Sequence, residues 1–252
     1  MIDLAMLAPA FCAGLLVLAT HVPLGRQVLA RGIIFLDLAI AQLAATGALL
    51  VTLVLHDHDA WQTQLGAGAA ALAGAFLLQY CDRRWPQVQE ALIGLTFVLA
   101  ATLGLLLLAA DPHGGEALRD ALAGQILWVT WPQLLPALTF SVLALLLWRG
   151  ARGLFIGFYL PFAIAVTMSV QLVGVYLVFS SLILPALAVR RLPGNRAMPV
   201  ALATGAAGYA LGLVASWYLD LPAGPACVWG LAVAAACAGL LLRRNAPAPE
   251  AA

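Results

Sequence analysis

The chain divides into long apolar runs separated by short polar breaks, and that pattern admits only one kind of fold. The runs are Leu4–Thr20, Gly32–Leu55, Gly66–Tyr80, Ala91–Ala110, Pro132–Trp148, Leu154–Val189, Pro199–Leu219 and Ala226–Leu242. About 20 mostly apolar residues in a helix cross ~30 Å of hydrocarbon, where the backbone must satisfy its own hydrogen bonds. Only 9% of the residues are charged and the mean hydropathy is +1.01, whereas soluble domains carry roughly a quarter charged residues. The expected fold is therefore an all-α, polytopic transmembrane helical bundle of about eight to nine membrane segments. It forms one domain over residues 1–242, and 243–252 reads as a short disordered tail.

The number of crossings turns on Leu154–Val189. As one helix it would measure about 54 Å at ~1.5 Å per residue, far more than a bilayer. Two short spans meeting near Gly174 are one solution; one span plus a re-entrant segment is the other. Arginine placement separates them. All twelve basic residues are arginine. With two crossings, Arg26, Arg31, Arg83, Arg84, Arg149, Arg152, Arg190, Arg191, Arg196, Arg243 and Arg244 share one side, and Arg119 alone lies opposite. With one crossing the split is even. The positive-inside rule favours two crossings, with the N-terminus outside and the C-terminus in the cytoplasm.

The lack of lysine excludes an ordinary Walker phosphate loop, so work driven by ATP requires another subunit. Cys12, Cys81, Cys227 and Cys237 form no C-x-x-C pair, which predicts neither a disulfide framework nor a zinc knuckle. The opening "MIDLAMLAPAF" lacks the basic region of a cleaved signal, and the first run reads as a retained span.

The outer side is acidic and rich in imidazole. "VLHDHDAWQTQ" carries His56, Asp57, His58 and Asp59, and "DPHGGE" carries Asp111, His113 and Glu116. Neutral histidine and carboxylate ligate zinc and similar divalent ions, so these are candidates for metal capture at the outer face; a plain polar turn is the alternative. An amphipathic stretch follows with Leu118, Ala121, Leu122 and Ile126 on one side, then Trp128 and Trp131. It predicts a short helix at the membrane interface.

Within the spans, "IIFLDLAIAQLAATGALL" holds Asp37 and Gln42. Ala41, Ala44, Ala45 and Ala48 follow Asp37 at helical spacing, a small-residue stripe suited to packing against protein. Intramembrane acids face the protein interior or a water-filled path, but a place near the helix start also suits a carboxylate electrostatically. Gln42 lies about 140° round the helix at ~3.6 residues per turn. "QLVGVYLVFSSLILPALAVRRL" adds Ser180, Ser181 and Pro185, and broken helices of this kind recur in transporters; a simple kink is the plain reading. Asp37, Gln42, Ser180, Ser181 and Pro185 are the candidate transport-path residues. Small residues also recur at every fourth position in Gly66, Ala70 and Gly74, and in Thr204, Gly208, Gly212 and Ser216. These predict close helix packing within the chain or at a subunit interface.

Three stretches resemble the permease subunits of the metal-ion ABC importers of the zinc, manganese and iron group. "VGVYLVFSSLILPALAVR" is similar to the family's glycine-to-proline signature, "GQILWVTWPQL" to its G-x-i-l-x-v-s-w-x-x-L segment, and "RGIIFLDLAIAQLAATG" to its early R-x-x-x-x-x-x-D-a-l-x-H-a-x-x-x-G helix. The likeness runs from about Arg31 to Leu242. It implies a permease in a bacterial inner membrane, a homodimer or a pair with a close paralogue. ATP-binding cassette subunits would bind the ATP, and an extracytoplasmic metal-binding protein would deliver a divalent ion, zinc or manganese. No cofactor resides in the chain, and no nucleic-acid partner is implied.

The family's aspartate and histidine stand four residues apart; here Ala41 follows Asp37 at that distance. Aligning Gln42 with the histidine leaves Leu38 at the aspartate position. The segment "WRGARGLFIGF" is short for an ATPase-docking loop, so coupling falls to Arg83, Arg84, Arg149, Arg152, Arg190 and Arg191. A gradient-driven cation transporter or channel with Asp37 as relay is the competing reading. An intramembrane enzyme is set aside, because Asp37 is the one ionisable group read inside a span.

Overall fold

A computed structural model of the chain describes residues 4–55, 59–109, 122–150 and 157–244. Its α-helices are α1 (Leu4–Arg31), α2 (Leu36–Val54), α3 (Ala60–Arg84), α4 (Gln89–Leu108), α5 (Trp131–Gly150), α6 (Tyr159–Val173), α7 (Val175–Ala188), α8 (Gly194–Leu219) and α9 (Ala223–Arg244). Single 3-10 turns at Pro86–Val88 and Ile126–Trp128 complete the described elements. Seven of the helices are long and apolar enough to cross a membrane, and α6 and α7 are shorter apolar helices. The expected all-helical bundle is observed.

The long apolar run breaks at Gly174, the single residue between α6 and α7, at φ 81° and ψ 162°. Contacts fix the direction of each leg. Leu160 at the start of α6 lies with Ala75 and Gln79 of α3, and Met168 accepts a hydrogen bond from Gln64 near the start of α3. Thus α6 runs antiparallel to α3. Gly25 lies against the Leu182 carbonyl of α7, and Gly194 lies near Arg26, so α7 runs parallel to α1. The two legs form an inverted V with its apex at Gly174.

All the arginine-bearing helix ends therefore share one end of the bundle. There the Arg31 guanidinium sits over the Phe158 ring at 4.3 Å, and the Phe35 N–H donates to Glu90 Oε1 at 3.3 Å. Trp148 Nε1 donates to Gln27 Oε1 at 3.2 Å, and Gln89 donates to the Tyr159 hydroxyl. At the opposite end Gly174 crosses Gly124, and Gly224 meets the Ala123 carbonyl.

Two groups of helices build the interior. Helices α2, α3 and α4 pack together; α1, α7, α8 and α9 form the second group; α6 touches both. Both small-residue stripes pack inside the chain. Gly66 faces Gly47 and Val51 of α2, and Gly74 faces Leu43; Gly208 and Gly212 of α8 lie against Leu231 and Cys227 of α9. Small side chains let these backbones approach, since dispersion and close packing drive helix association in lipid. Helices α4 and α5 turn Leu95, Leu99, Leu106, Leu135 and Leu146 outward.

The first helix differs from the sequence expectation. The first apolar run of the sequence ends at Thr20, but α1 continues through His21 and Pro23 to Arg31. Pro23 removes only the donor to the Ala19 carbonyl, a loss that helices inside a membrane bundle tolerate. Thr20 Oγ1 and His21 Nδ1 bond to the Val17 carbonyl of their own helix, so neither donor needs water. The second helix starts later than expected, at Leu36, after a turn in which Gly32 has φ 72°. Asp37 consequently lies in the first turn of α2, not a turn and a half inside it.

Candidate functional site

Asp37 is buried completely. Neither carboxylate oxygen has a hydrogen-bond partner among the described residues. Its helix is enclosed by α3, α4, α6 and α7, so the carboxylate belongs to the protein interior, as the alanine stripe predicted. Gln42 is buried on a different face. Its Nε2 lies with Thr46 Oγ1 opposite Gly104 of α4. Thr46 donates to the Gln42 carbonyl at 2.9 Å and the Ala100 carbonyl at 3.1 Å. Gln42 is thus part of an α2–α4 contact, and Asp37 and Gln42 do not converge on one point.

The serines of α7 are engaged locally. Ser180 donates to the Tyr176 carbonyl at 2.8 Å. Ser181, wholly buried, bonds the Leu177 carbonyl at 2.6 Å and the Tyr209 hydroxyl at 2.7 Å. The Tyr209 ring fills the space left by Gly14 of α1. Pro185 is buried inside α7 and removes the helical donor to the Ser181 carbonyl. Together these groups knit α1, α7 and α8.

His21 was not singled out in the sequence, because the first span was ended one residue before it. Among the described helices it is the only His, Asp, Glu or Arg more than two turns from a helix end. The available signal was a histidine inside a helix-length apolar run, followed by a proline that reads as a breaker.

At the outer end, Asp59 caps α3 in a capping box with Gln62, whose Oε1 accepts from the Asp59 N–H at 2.9 Å. Trp61 Nε1 donates to Asp59 Oδ2 at 3.0 Å. His56, Asp57, His58, Asp111, His113 and Glu116 lie outside the described residues, as does Arg152. Ile126 is buried, and Trp128 and Trp131 are exposed, which suits an interfacial position. Among the described residues no three His, Cys, Asp or Glu side chains form a metal site. Arg83, Arg84, Arg149, Arg190 and Arg191 are exposed at the arginine-rich end.

The sequence matches the ABC 3 transport family over residues 3–152 and 151–241. The chain belongs to that family. It is accordingly the permease subunit of an ABC transporter, and ATP hydrolysis lies in a separate subunit. No curated protein matches the sequence. Among solved structures, the fold is similar to "PsaBC from Streptococcus pneumoniae in complex with Fab", with a TM-score of 0.71 and 22% identity, over 96% of this chain and 91% of that one. It is also similar to an inward-facing ABC transporter of metal-chelate type, with a TM-score of 0.65 and 19% identity, over 94% of this chain and 85% of that one. Both likenesses concern the fold. Membership of the ABC 3 family displaces the gradient-driven reading in favour of ATP-driven transport.

Proposed function

We propose that this ABC 3 permease carries a divalent metal ion, zinc or manganese, across a bacterial inner membrane, and that Asp37 contacts the ion on its way. The observation that carries the reading is the Asp37 carboxylate, fully buried with both oxygens unpartnered among the described residues. Burying an ionised carboxylate without a partner is costly, and intramembrane acids mark ion pathways. A passing cation supplies the missing partner in one state of the cycle. The likeness to a metal-chelate type transporter supports a metal-bearing cargo.

The arginine-rich end faces the cytoplasm under the positive-inside rule. Arg83 and Arg84 at the end of α3, Arg149 at the end of α5, and Arg190 and Arg191 after α7 then lie where the ATPase docks. The end bearing Asp59 and Gly174 receives an extracytoplasmic metal-binding protein. A second copy or a close paralogue completes the pathway.

The test is uptake into proteoliposomes containing the permease and its ATPase. ATP-dependent accumulation of zinc or manganese is expected. Accumulation of neither ion refutes the reading, and uptake of a metal chelate instead assigns the cargo to that class.

A further inference from the structure

We propose that the imidazole of His21 is a second cargo-contacting group, with Nε2 binding the metal ion inside the bundle. The proposal rests on the divalent-metal reading above. His21 is wholly buried in α1. Its Nδ1 lies 3.0 Å from the Val17 carbonyl oxygen and 2.9 Å from Thr20 Oγ1. A carbonyl can only accept, so Nδ1 carries the proton. Thr20 donates its own hydroxyl hydrogen to Val17 at 2.9 Å, which leaves its oxygen free to accept from Nδ1. In the neutral ring, Nε2 then holds a lone pair, and that atom has no hydrogen-bond partner among the described residues.

This is how metal-binding histidines are held. One ring nitrogen donates to a backbone carbonyl or a polar side chain, which fixes the tautomer and turns the other nitrogen towards the metal. A buried imidazole places its one N–H on an acceptor in either role; the distinguishing feature is the unpaired Nε2, a cost that an apolar side chain would spare.

Position supports the same role. His21 lies about 7.5 Å along α1 from Arg26 and about 15 Å from Arg31, at ~1.5 Å per residue, inside the span. Transporter sites favour helices whose backbone carbonyls have lost their helical donors. Pro23 deprives the Ala19 carbonyl of its helical donor without breaking α1, and Pro185 does the same to the Ser181 carbonyl of α7. His21 shares a helical face with Gly14, Leu18 and Gly25, which lie against Tyr209, Gly205 and Leu182. That face is the seam between α1 and helices α7 and α8. Asp37 sits near the arginine-rich end, so the two groups would be met in succession. Imidazole suits zinc better than manganese, whose preferred ligands are carboxylate, carbonyl and water. His21 therefore also biases selection towards zinc.

Two variants separate ligand from packing residue. His21→Asn retains a donor for the Val17 carbonyl and loses Nε2; His21→Gln places an amide near the Nε2 position and loses the Nδ1 donor. Both are compared with wild type as complexes with the ATPase, by uptake and by pulsed electron paramagnetic resonance with Cu2+ as probe, using a purification tag without histidine. The expected result is at least a tenfold fall in ATP-dependent zinc uptake in both variants, a smaller fall for manganese, and loss in His21→Asn of an imidazole nitrogen modulation present in wild type. Wild-type uptake by His21→Asn, or an unchanged modulation, overturns the proposal. Failure of both variants to assemble also overturns it, by making His21 a packing residue. Absence of zinc and manganese uptake in the wild-type protein would instead refute the metal-transport reading itself.

Discussion

Replacing Gly174 by alanine should destabilise the protein strongly. The residue joins α6 to α7 at φ 81° and ψ 162°. This region is closed to side chains with a Cβ and costs about 1–3 kcal/mol when forced. Asparagine brings no rescue, because the left-handed helical basin it tolerates lies near ψ of about +30 to +60°. The added methyl also overlaps the Gly124 backbone nitrogen and stands 2.5 Å from Gly124 Cα. Backbone cannot rotate aside as a side chain can, so overpacking adds about 1–3 kcal/mol. The sum is about 2–6 kcal/mol, a fall of roughly 4 °C or more at ~2–4 °C per kcal/mol for a chain of this size. Thermal unfolding in detergent, followed by thiol-reactive dye labelling of the buried Cys81 and Cys227, reads it directly. Gly68→Ala is the control. Gly68 lies inside α3 with open space where its Cβ would stand, so alanine there leaves stability unchanged or raises it by up to about 1 kcal/mol. An unshifted melting temperature for Gly174→Ala, or an equal fall for Gly68→Ala, would refute the close crossing at the apex of the V.

Asp37→Asn should lower ATP-dependent metal uptake at least tenfold while assembly with the ATPase is retained; normal uptake would remove Asp37 from the path. Replacing His56 and His58 together by alanine should raise the half-saturating metal concentration several-fold, and an unchanged value would make that segment a turn only. Thr46→Val removes the bond to the Ala100 carbonyl and should cost about 0.6 kcal/mol, the average for such bonds between membrane helices. A melting temperature above wild type would show that the α2–α4 contact prefers an apolar residue. Tyr209→Phe leaves Ser181 bonded to Leu177 and removes the link to α8. About 1 kcal/mol is expected, and the same dye assay decides it.

What the sequence revealed, and what it hid, follows from how far apart the interacting groups lie along the chain. The break at Gly174 was legible because a run of that length overshoots a bilayer and the arginines sort to one side only if it turns back. The stripe of Thr204, Gly208, Gly212 and Ser216 was legible because close helix packing needs small residues at helical spacing. The commitments of Ser181 were hidden. Its partner Tyr209 is 28 residues away, and nothing in "FSSLILP" identifies it. Gln42 was hidden for the same reason, since its surroundings include Gly104 of another helix. The error at α1 has a different origin. Thr20, His21 and Pro23 read as polar punctuation on a hydropathy scale, which treats a polar side chain as if it required water. Here Thr20 and His21 spend their donors on the Val17 carbonyl of the same helix, so the helix continues at full depth. That local satisfaction also determines which atoms remain available. Once Nδ1 is committed, Nε2 is left as a lone pair inside the bundle, whereas Asp37 is drawn to the first turn of α2 by the glycine turn before it. Helix ends thus assign depth, and they place His21, a residue that hydropathy had put outside the membrane, farther from a helix end than any other His, Asp, Glu or Arg of the described helices.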